Sequence, residues 1–272
     1  MTSDRWWRTA FATSIGTSHE KTGSPCQDAA DCRVVEDLNG EQILIAAVSD
    51  GAGTAAHSEI GSKQTVSEFL EHFSGVAQRD ATLETITSTS VKRWFRSLVE
   101  SLKDTATRNG HELRDYSCTI LGAVLARTAS IYVQLGDGAI VVATEGGDDY
   151  AWVFWPQNGE YANSTFFVTQ PGVEELLQIE AEGPPVDEIA IFSDGIERLV
   201  LNMSERTVHG PAFQPIFSWL ATLEEDQSGL PSPVLESYLA SKHINSRTDD
   251  DKSLVMATRR LAAVPENVEA AV

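Results

Sequence analysis

The sequence predicts an α+β domain built in layers. Short strand-like runs come in groups, two long amphipathic segments stand together between those groups, and nothing alternates one strand with one helix as a doubly wound sheet would. The runs are Ile43–Val48, Ile120–Leu125, Ile131–Leu135, Ala139–Ala143, Ala151–Trp155, Thr165–Val168, Ile189–Phe192 and Leu254–Ala257. Each is short, apolar, rich in β-branched or aromatic residues and bounded by turn formers, as strands are. Ile131–Leu135 and Ala139–Ala143 flank Gly136-Asp137-Gly138, which reads as a hairpin turn. Helical spacing appears at Val66, Phe69, Leu70 and Phe73, and again at Val91, Trp94, Phe95, Leu98 and Leu102, each set on one 3.6-residue face. Later helices are expected to start at Pro215 and Pro233, since proline is pre-organised for a first turn. Gly146–Asp149 and Asp226–Pro233 read as surface loops. No linker or repeat interrupts the pattern, so one domain is expected over residues 1–260, followed by a frayed tail over 261–272.

Hydrophobic residues make up 42% of the 272, enough to offset the ordering entropy of a compact fold. The net charge of −20, from 40 acidic and 20 basic side chains, argues against broad contact with nucleic acid or anionic lipid, both of which need basic faces. Three cysteines, Cys26, Cys32 and Cys118, are too few and odd in number for a disulfide scaffold, which points to a reducing compartment. Met1–Arg8 carries two tryptophans but no apolar core of a secretory leader, and no run reaches transmembrane length; the expectation is a cytoplasmic monomer.

Most of the acids read as solvated surface, but several do not. Ile43–Val48 runs through Ser49 into Asp50-Gly51, and Ile189–Phe192 runs through Ser193 into Asp194-Gly195, so the same strand-SDG unit occurs twice. A third apolar strand ends in Gly136-Asp137-Gly138. Asp28 lies in PCQDAA, and Asp249-Asp250-Asp251 precedes the last strand. A strand end is a rigid place from which to aim a carboxylate, and a following glycine lets a ligand approach the backbone. Hard divalent cations such as Mg²⁺ take oxygen ligands of this kind. Any single Asp-Gly is more often a turn; the repetition points to chemistry.

Taken in order, SPCQDAA, VSDGAG, LGDGAIV, IFSDGIERL and DDDKSLVM resemble the successive motifs of the type-2C (PPM) metal-dependent protein serine/threonine phosphatases. The resemblance spans about residues 16 to 257. It implies a four-layer αββα sandwich, two antiparallel sheets flanked by helix pairs, with residues 1–260 as the catalytic domain. It implies hydrolysis of phosphoserine and phosphothreonine by water activated on two or three Mg²⁺ or Mn²⁺ ions. Asp50 would bridge two of them with the Gly51 carbonyl ligating one. Asp194 and Asp250 would hold the second, and Asp28 would hydrogen-bond water on the metals. Asp137 would serve a third ion with the help of Asp194. Asp251 stands where the family usually has Asn, so the ligand is Asp250 or, one residue on, Asp251. The implied partners are a phosphorylated protein and the serine/threonine kinase that opposes the enzyme.

The chain departs from that pattern at Gly23, where a phosphate-binding Arg is usual, at Gln27, where Glu often stands, and at Ala52, the place of a His proposed as general acid. These losses keep open a catalytically weak pseudophosphatase that binds a phosphoprotein or kinase. The segment Gly16–Gly23 is expected to form a loop near the metals, with His19 and Lys21 as the available phosphate-binding groups. Two rival enzymes fit less well. Six residues separate Cys26 from Arg33, one more than a cysteine phosphatase loop allows. Gly51-Ala52-Gly53-Thr54-Ala55-Ala56 matches a dinucleotide fingerprint, but a second helix rather than a second strand follows the first.

Overall fold

The computed structural model describes residues 6–80, 82–144, 149–157, 165–224 and 232–260. Its elements run β1 (Arg8–Ser14), α1 (Thr17–Thr22), β2 (Ala29–Glu36), β3 (Gln42–Ser49), α2 (Ser58–Ala77), α3 (Ser88–Asn109), β4 (Ile120–Leu125) and β5 (Ser130–Leu135). There follow β6 (Ala139–Thr144), β7 (Tyr150–Trp152), β8 (Gln178–Gly183), β9 (Val186–Phe192), α4 (Glu197–Val200), β10 (Leu201–Asn202) and β11 (Thr207–Val208). The chain closes with α5 (Gln214–Leu220), α6 (Pro233–Leu239), α7 (Lys242–Asn245) and β12 (Lys252–Thr258). Two five-stranded antiparallel sheets result, ordered β1-β12-β9-β6-β7 and β2-β3-β4-β5-β8, with a small β10-β11 pair apart from them.

The layering follows from the period-2 pattern of the strands. In β3, Leu44, Ala46 and Val48 face the other sheet while Ile43, Ile45 and Ala47 face α2 and α3. In β9 and β12, Ile189, Ile191, Val255 and Ala257 point between the sheets, and Ala190, Phe192, Leu254 and Met256 point to α5 and α6. Both faces of the central strands are therefore dry, which is why they read as continuous apolar runs. Phe69 of α2 lies so close on β4 that a Cβ at Gly122 would come within 2.3 Å of its ring. Phe69 is fully buried, and its truncation to Ala should cost about 3–5 kcal/mol. The result is the αββα sandwich that the resemblance implied.

Four expectations need correction. β5 and β6 are not a hairpin: Leu135 pairs with Ile120 in one sheet and Ala139 with Phe192 in the other, so Gly136-Asp137-Gly138 is a crossing between sheets. Gly136 has φ +125, and a Cβ there would meet Thr119 at 2.5 Å; one at Gly138 would meet the Phe192 carbonyl at 2.4 Å. The glycines thus serve a close passage rather than a turn. Thr165–Val168 is not a strand; Val168 is buried under the helical layer and spends its backbone N–H on the Cys118 carbonyl (2.8 Å). The strand expected over Ala151–Trp155 ends at Trp152. The Gly16–Gly23 loop is helix α1, closed by Gly23 at φ +72 in a left-handed C-cap. β1, β2 and β8 gave no clear signal because they are small-residue or half-polar strands at or near sheet edges. Most of the expected loops over Gly146–Asp149 and Asp226–Pro233, and the tail over 261–272, lie outside the described residues.

Candidate functional site

Asp50 follows β3, Asp137 lies in the β5-β6 crossing and Asp194 follows β9, so three strands from the two sheets deliver a carboxylate each to one end of the sandwich. One oxygen from each falls within 4.8 Å of the others. The framework is built from backbone bonds. The Asp50 N–H donates to Thr119 Oγ1 (2.8 Å), the Thr119 N–H donates to the Asp50 carbonyl (2.8 Å), and Gly51 bridges Cys118. Gly51 cannot be replaced without movement, because a Cβ there would sit 2.5 Å from the Gln27 carbonyl.

Gathering carboxylates disfavours their charged forms. Burial, then the charges of Asp28, Asp194 and Asp137, raise the Asp50 carboxyl well above its ordinary range. Asp137 is pushed up to about 7 by burial and by Asp194. Oδ1 of Asp137 and Oδ1 of Asp194 are buried without a hydrogen-bond partner, and among the described residues no lysine or arginine forms an ion pair with this trio. Orphaned oxygens on a concentrated negative charge fit divalent cations, which supply what the protein withholds.

Asp28 and Asp250 border the trio. Asp28 is buried, accepts a hydrogen bond from Ser193 Oγ (2.7 Å), and is raised to about 8 by burial and by Asp251 and Asp194. Asp250 is exposed at the rim. Loss of water on its inner side and the charge of Asp194 raise its carboxyl.

Asp251 is different. Its Oδ1 accepts from the Gly16 N–H (2.6 Å) and its Oδ2 from the Gln27 N–H (2.6 Å), with His19 Nδ1 at 2.9 Å from the same oxygen. Both oxygens are engaged by protein, so Asp251 clasps α1 to the Asp28 segment. His19 and Lys21 are also separated. Two positions apart on a helix, they point to different sides, and Lys21 is exposed while His19 sits on Asp251.

Two residues escaped the sequence reading. Glu197 opens α4 three residues after Asp194, which starts a 3₁₀ turn, so the two side chains share one face. Its carboxyl rises to about 7 through burial and the charges of Asp194 and Asp137. The strand-SDG unit continuing into a helix carried that signal. Lys252 is fully buried, and its ammonium donates to the Asp250 carbonyl (3.0 Å), Asn245 Oδ1 (3.0 Å) and the Ile15 carbonyl (3.3 Å), fixing the backbone that presents Asp250. Nothing in the local sequence marks it.

The rival chemistries find no support here. Cys26 and Cys32 are pushed up to about 12 and Cys118 to about 11, mainly by burial, so none offers a thiolate near neutral pH. The Gly51–Ala56 segment is followed by α2 and α3, and the next strand, β4, pairs antiparallel with β3, so no parallel βαβ unit of the dinucleotide kind is formed there.

Comparison with known proteins agrees with this geometry. The family model for protein phosphatase 2C matches residues 15–240. Serine/threonine-protein phosphatase 3 of Escherichia coli (strain K12) is 34% identical over 253 residues, which is 92% of this chain and 98% of that protein. Among solved structures, the serine/threonine phosphatase Stp1 from Staphylococcus aureus superposes with a TM-score of 0.58 at 14% identity, covering 93% of this chain and 95% of its own. RsbX in complex with magnesium does so with a TM-score of 0.52 at 14% identity, covering 93% and 94%. The chain belongs to the protein phosphatase 2C family and is a metal-dependent serine/threonine protein phosphatase, a hydrolase acting on phosphoproteins.

Proposed function

We propose that two or three Mg²⁺ or Mn²⁺ ions are held by Asp50, Asp194, Asp250 and the Gly51 carbonyl, with Asp137 serving the third, and that phosphoserine or phosphothreonine is hydrolysed there in one step. The observation that carries this reading is the trio Asp50, Asp137 and Asp194, with oxygens within 4.8 Å of one another and, among the described residues, no lysine or arginine in an ion pair with them. When bound, such ions supply an acidified water as nucleophile and offset charge on the transferred phosphoryl group.

The chain's own residues orient that chemistry. Ser193 Oγ, by donating to Asp28 Oδ2 and accepting from the Ser253 N–H (3.0 Å), ties β9 to β12 and fixes the Asp28 carboxylate. Thr119 fixes Asp50 by bonds on both sides of its peptide, and Lys252 fixes Asp250. With the thiols raised by burial, no covalent phosphoenzyme on cysteine forms.

The departures keep one second reading in view. Gly23 is a left-handed helix cap, where an Arg would be strained, and Ala52 is buried with its N–H on the Ser117 carbonyl, so neither lost group has a replacement at its own position. A pseudophosphatase would bind a phosphopeptide without turning it over. Purified protein assayed on a phosphothreonine peptide with Mn²⁺, against a chelator control, separates the two: metal-dependent phosphate release is expected, and binding without release sinks the catalytic reading. We further place the enzyme as a cytoplasmic monomer opposing a serine/threonine kinase, supported by three unpaired cysteines. Among the described residues, no helix is long and apolar enough to cross a membrane.

A further inference from the structure

The alkoxide that leaves phosphoserine or phosphothreonine is a strong base and departs faster if it is protonated as the P–O bond breaks. Ala52 cannot supply that proton. Helix α1, beside the Asp249–Asp251 segment, carries an imidazole in an ordered hydrogen bond, that of His19.

Helix α1 is sewn onto the segment carrying Asp250. The Ser18 N–H and Oγ both donate to the Asp249 carbonyl (2.9 and 2.6 Å), and Gly16 packs so tightly that a Cβ would lie 2.4 Å from the Asp250 carbonyl carbon. His19, one position on, places Nδ1 2.9 Å from Asp251 Oδ2. Asp251 is buried and also accepts from two backbone N–H groups, so its position is set by the fold and the imidazole Nδ1 is left the donor. The ring's other nitrogen, Nε2, is then free. The His19 side chain remains 17% exposed, so the ring is in contact with solvent. Through Asp251 the imidazole stands one residue along the chain from Asp250. A carboxylate that fixes one imidazole nitrogen and leaves the other to act is the arrangement by which proton-transferring histidines are oriented.

We propose that His19, as an imidazolium whose Nδ1–H is held by Asp251 and whose second proton is on Nε2, is the general acid for the leaving serine or threonine oxygen, with Asp251 as its positioning residue; this rests on the phosphatase reading above. The bond from phosphorus to the seryl or threonyl oxygen breaks, its electron pair stays on that oxygen, and the oxygen takes the proton from Nε2. The new P–O bond forms to the oxygen of a water whose proton passes to solvent. His19 regains its proton from solvent, so one water is consumed and nothing is oxidised or reduced.

The test is the leaving group. p-Nitrophenolate needs little protonation to depart, whereas a seryl alkoxide needs it most. His19→Asn can still donate to Asp251 but cannot transfer a proton. At saturating Mn²⁺, kcat on a phosphoserine peptide should fall by about 100-fold or more, the usual weight of a general acid, and at least tenfold further than kcat on p-nitrophenyl phosphate. Equal losses on both substrates, or no loss on the peptide, would overturn the proposal. If His19→Asn does not fold, by circular dichroism and thermal melting, the wild-type protein decides on a series of aryl and alkyl phosphates. A steep fall of kcat/KM with rising leaving-group basicity overturns the proposal, and a shallow one supports it. Metal-dependent hydrolysis of p-nitrophenyl phosphate by the wild type tests the phosphatase reading separately, since it does not depend on His19.

Discussion

Strand β9 has acids at both of its ends, buried at its start and half-buried past its finish, and the two ends treat them in opposite ways. At its start, Asp187 and Glu188 are buried but paired: Arg259 Nε lies 3.0 Å from Asp187 Oδ1, Arg260 Nη1 lies 3.4 Å from Glu188 Oε2, and the Tyr150 hydroxyl donates to Glu188 at 3.0 Å. Just past its other end, Asp194 meets Asp50 and Asp137, and among the described residues no arginine or lysine forms an ion pair with any of the three. A buried carboxylate must be paired, neutralised or bound to a metal. The first end uses the protein's own cations and is structural. The second leaves Asp137 Oδ1 and Asp194 Oδ1 without hydrogen-bond partners, a set of oxygens that suits a hard divalent cation.

The comparison breaks most readily at the second end. Asp50→Asn and Asp194→Asn should each remove metal-dependent phosphatase activity by orders of magnitude while leaving the fold intact, measured by steady-state assay and circular dichroism. Wild-type rates in both variants would remove the trio from the chemistry. Asp187→Ala should do the converse. It strands a buried Arg259, costs about 3–5 kcal/mol in a denaturant melt, and leaves kcat of the folded enzyme unchanged.

Smaller effects grade the site itself. Asp137→Ala should be milder than Asp50→Asn. Glu197→Gln should weaken Mn²⁺ binding by about tenfold in calorimetry, as removal of an outer carboxylate commonly does. Unaltered Mn²⁺ binding in Glu197→Gln would assign this residue to the helix alone.

The pH response distinguishes the ends again. Asp28 and Asp137 have folded-state values raised to about 8 and about 7 above their ordinary range. For a raised carboxyl, the folded state binds the proton more tightly than the unfolded chain, so its contribution to stability is full below about pH 4 and is lost as pH rises through 7 to 8. In chelator, Tm should therefore be lower at pH 8 than at pH 6 by at least about 2–4 °C, the shift that 1 kcal/mol produces in a large domain, and saturating Mn²⁺ should reverse the difference. A chelated protein equally stable at both pH values would mean that the carboxylates are already compensated. The smallest expected effect is Cys26→Ser, which should retain turnover because burial holds that thiol protonated.

Legibility in the sequence followed the range of the interactions. Ile43–Val48, Ile120–Leu125, Ile189–Phe192 and the two long helices were readable because burial on both faces or on one stripe writes itself into local periodicity. The carboxylates Asp50, Asp137 and Asp194 were readable because strand ends followed by glycine recur. Glu197 and Lys252 were not, since a helical Glu and a strand Lys are locally ordinary and gain their roles from neighbours far along the chain.

The sequence by itself determined the layered α+β class, the strand-end acids and the order of motifs that resembles a phosphatase, because each depends on residues close together in the chain. Only the tertiary structure decided that Gly136-Asp137-Gly138 crosses between sheets, that α1 is a helix, and that Asp251 rather than Asp250 holds His19. Adjacent aspartates are chemically identical until the fold places Gly16, His19 and Gln27 around one of them. Which carboxylate is saturated and which is left open depends on donors more than 200 residues away, and no local pattern encodes that.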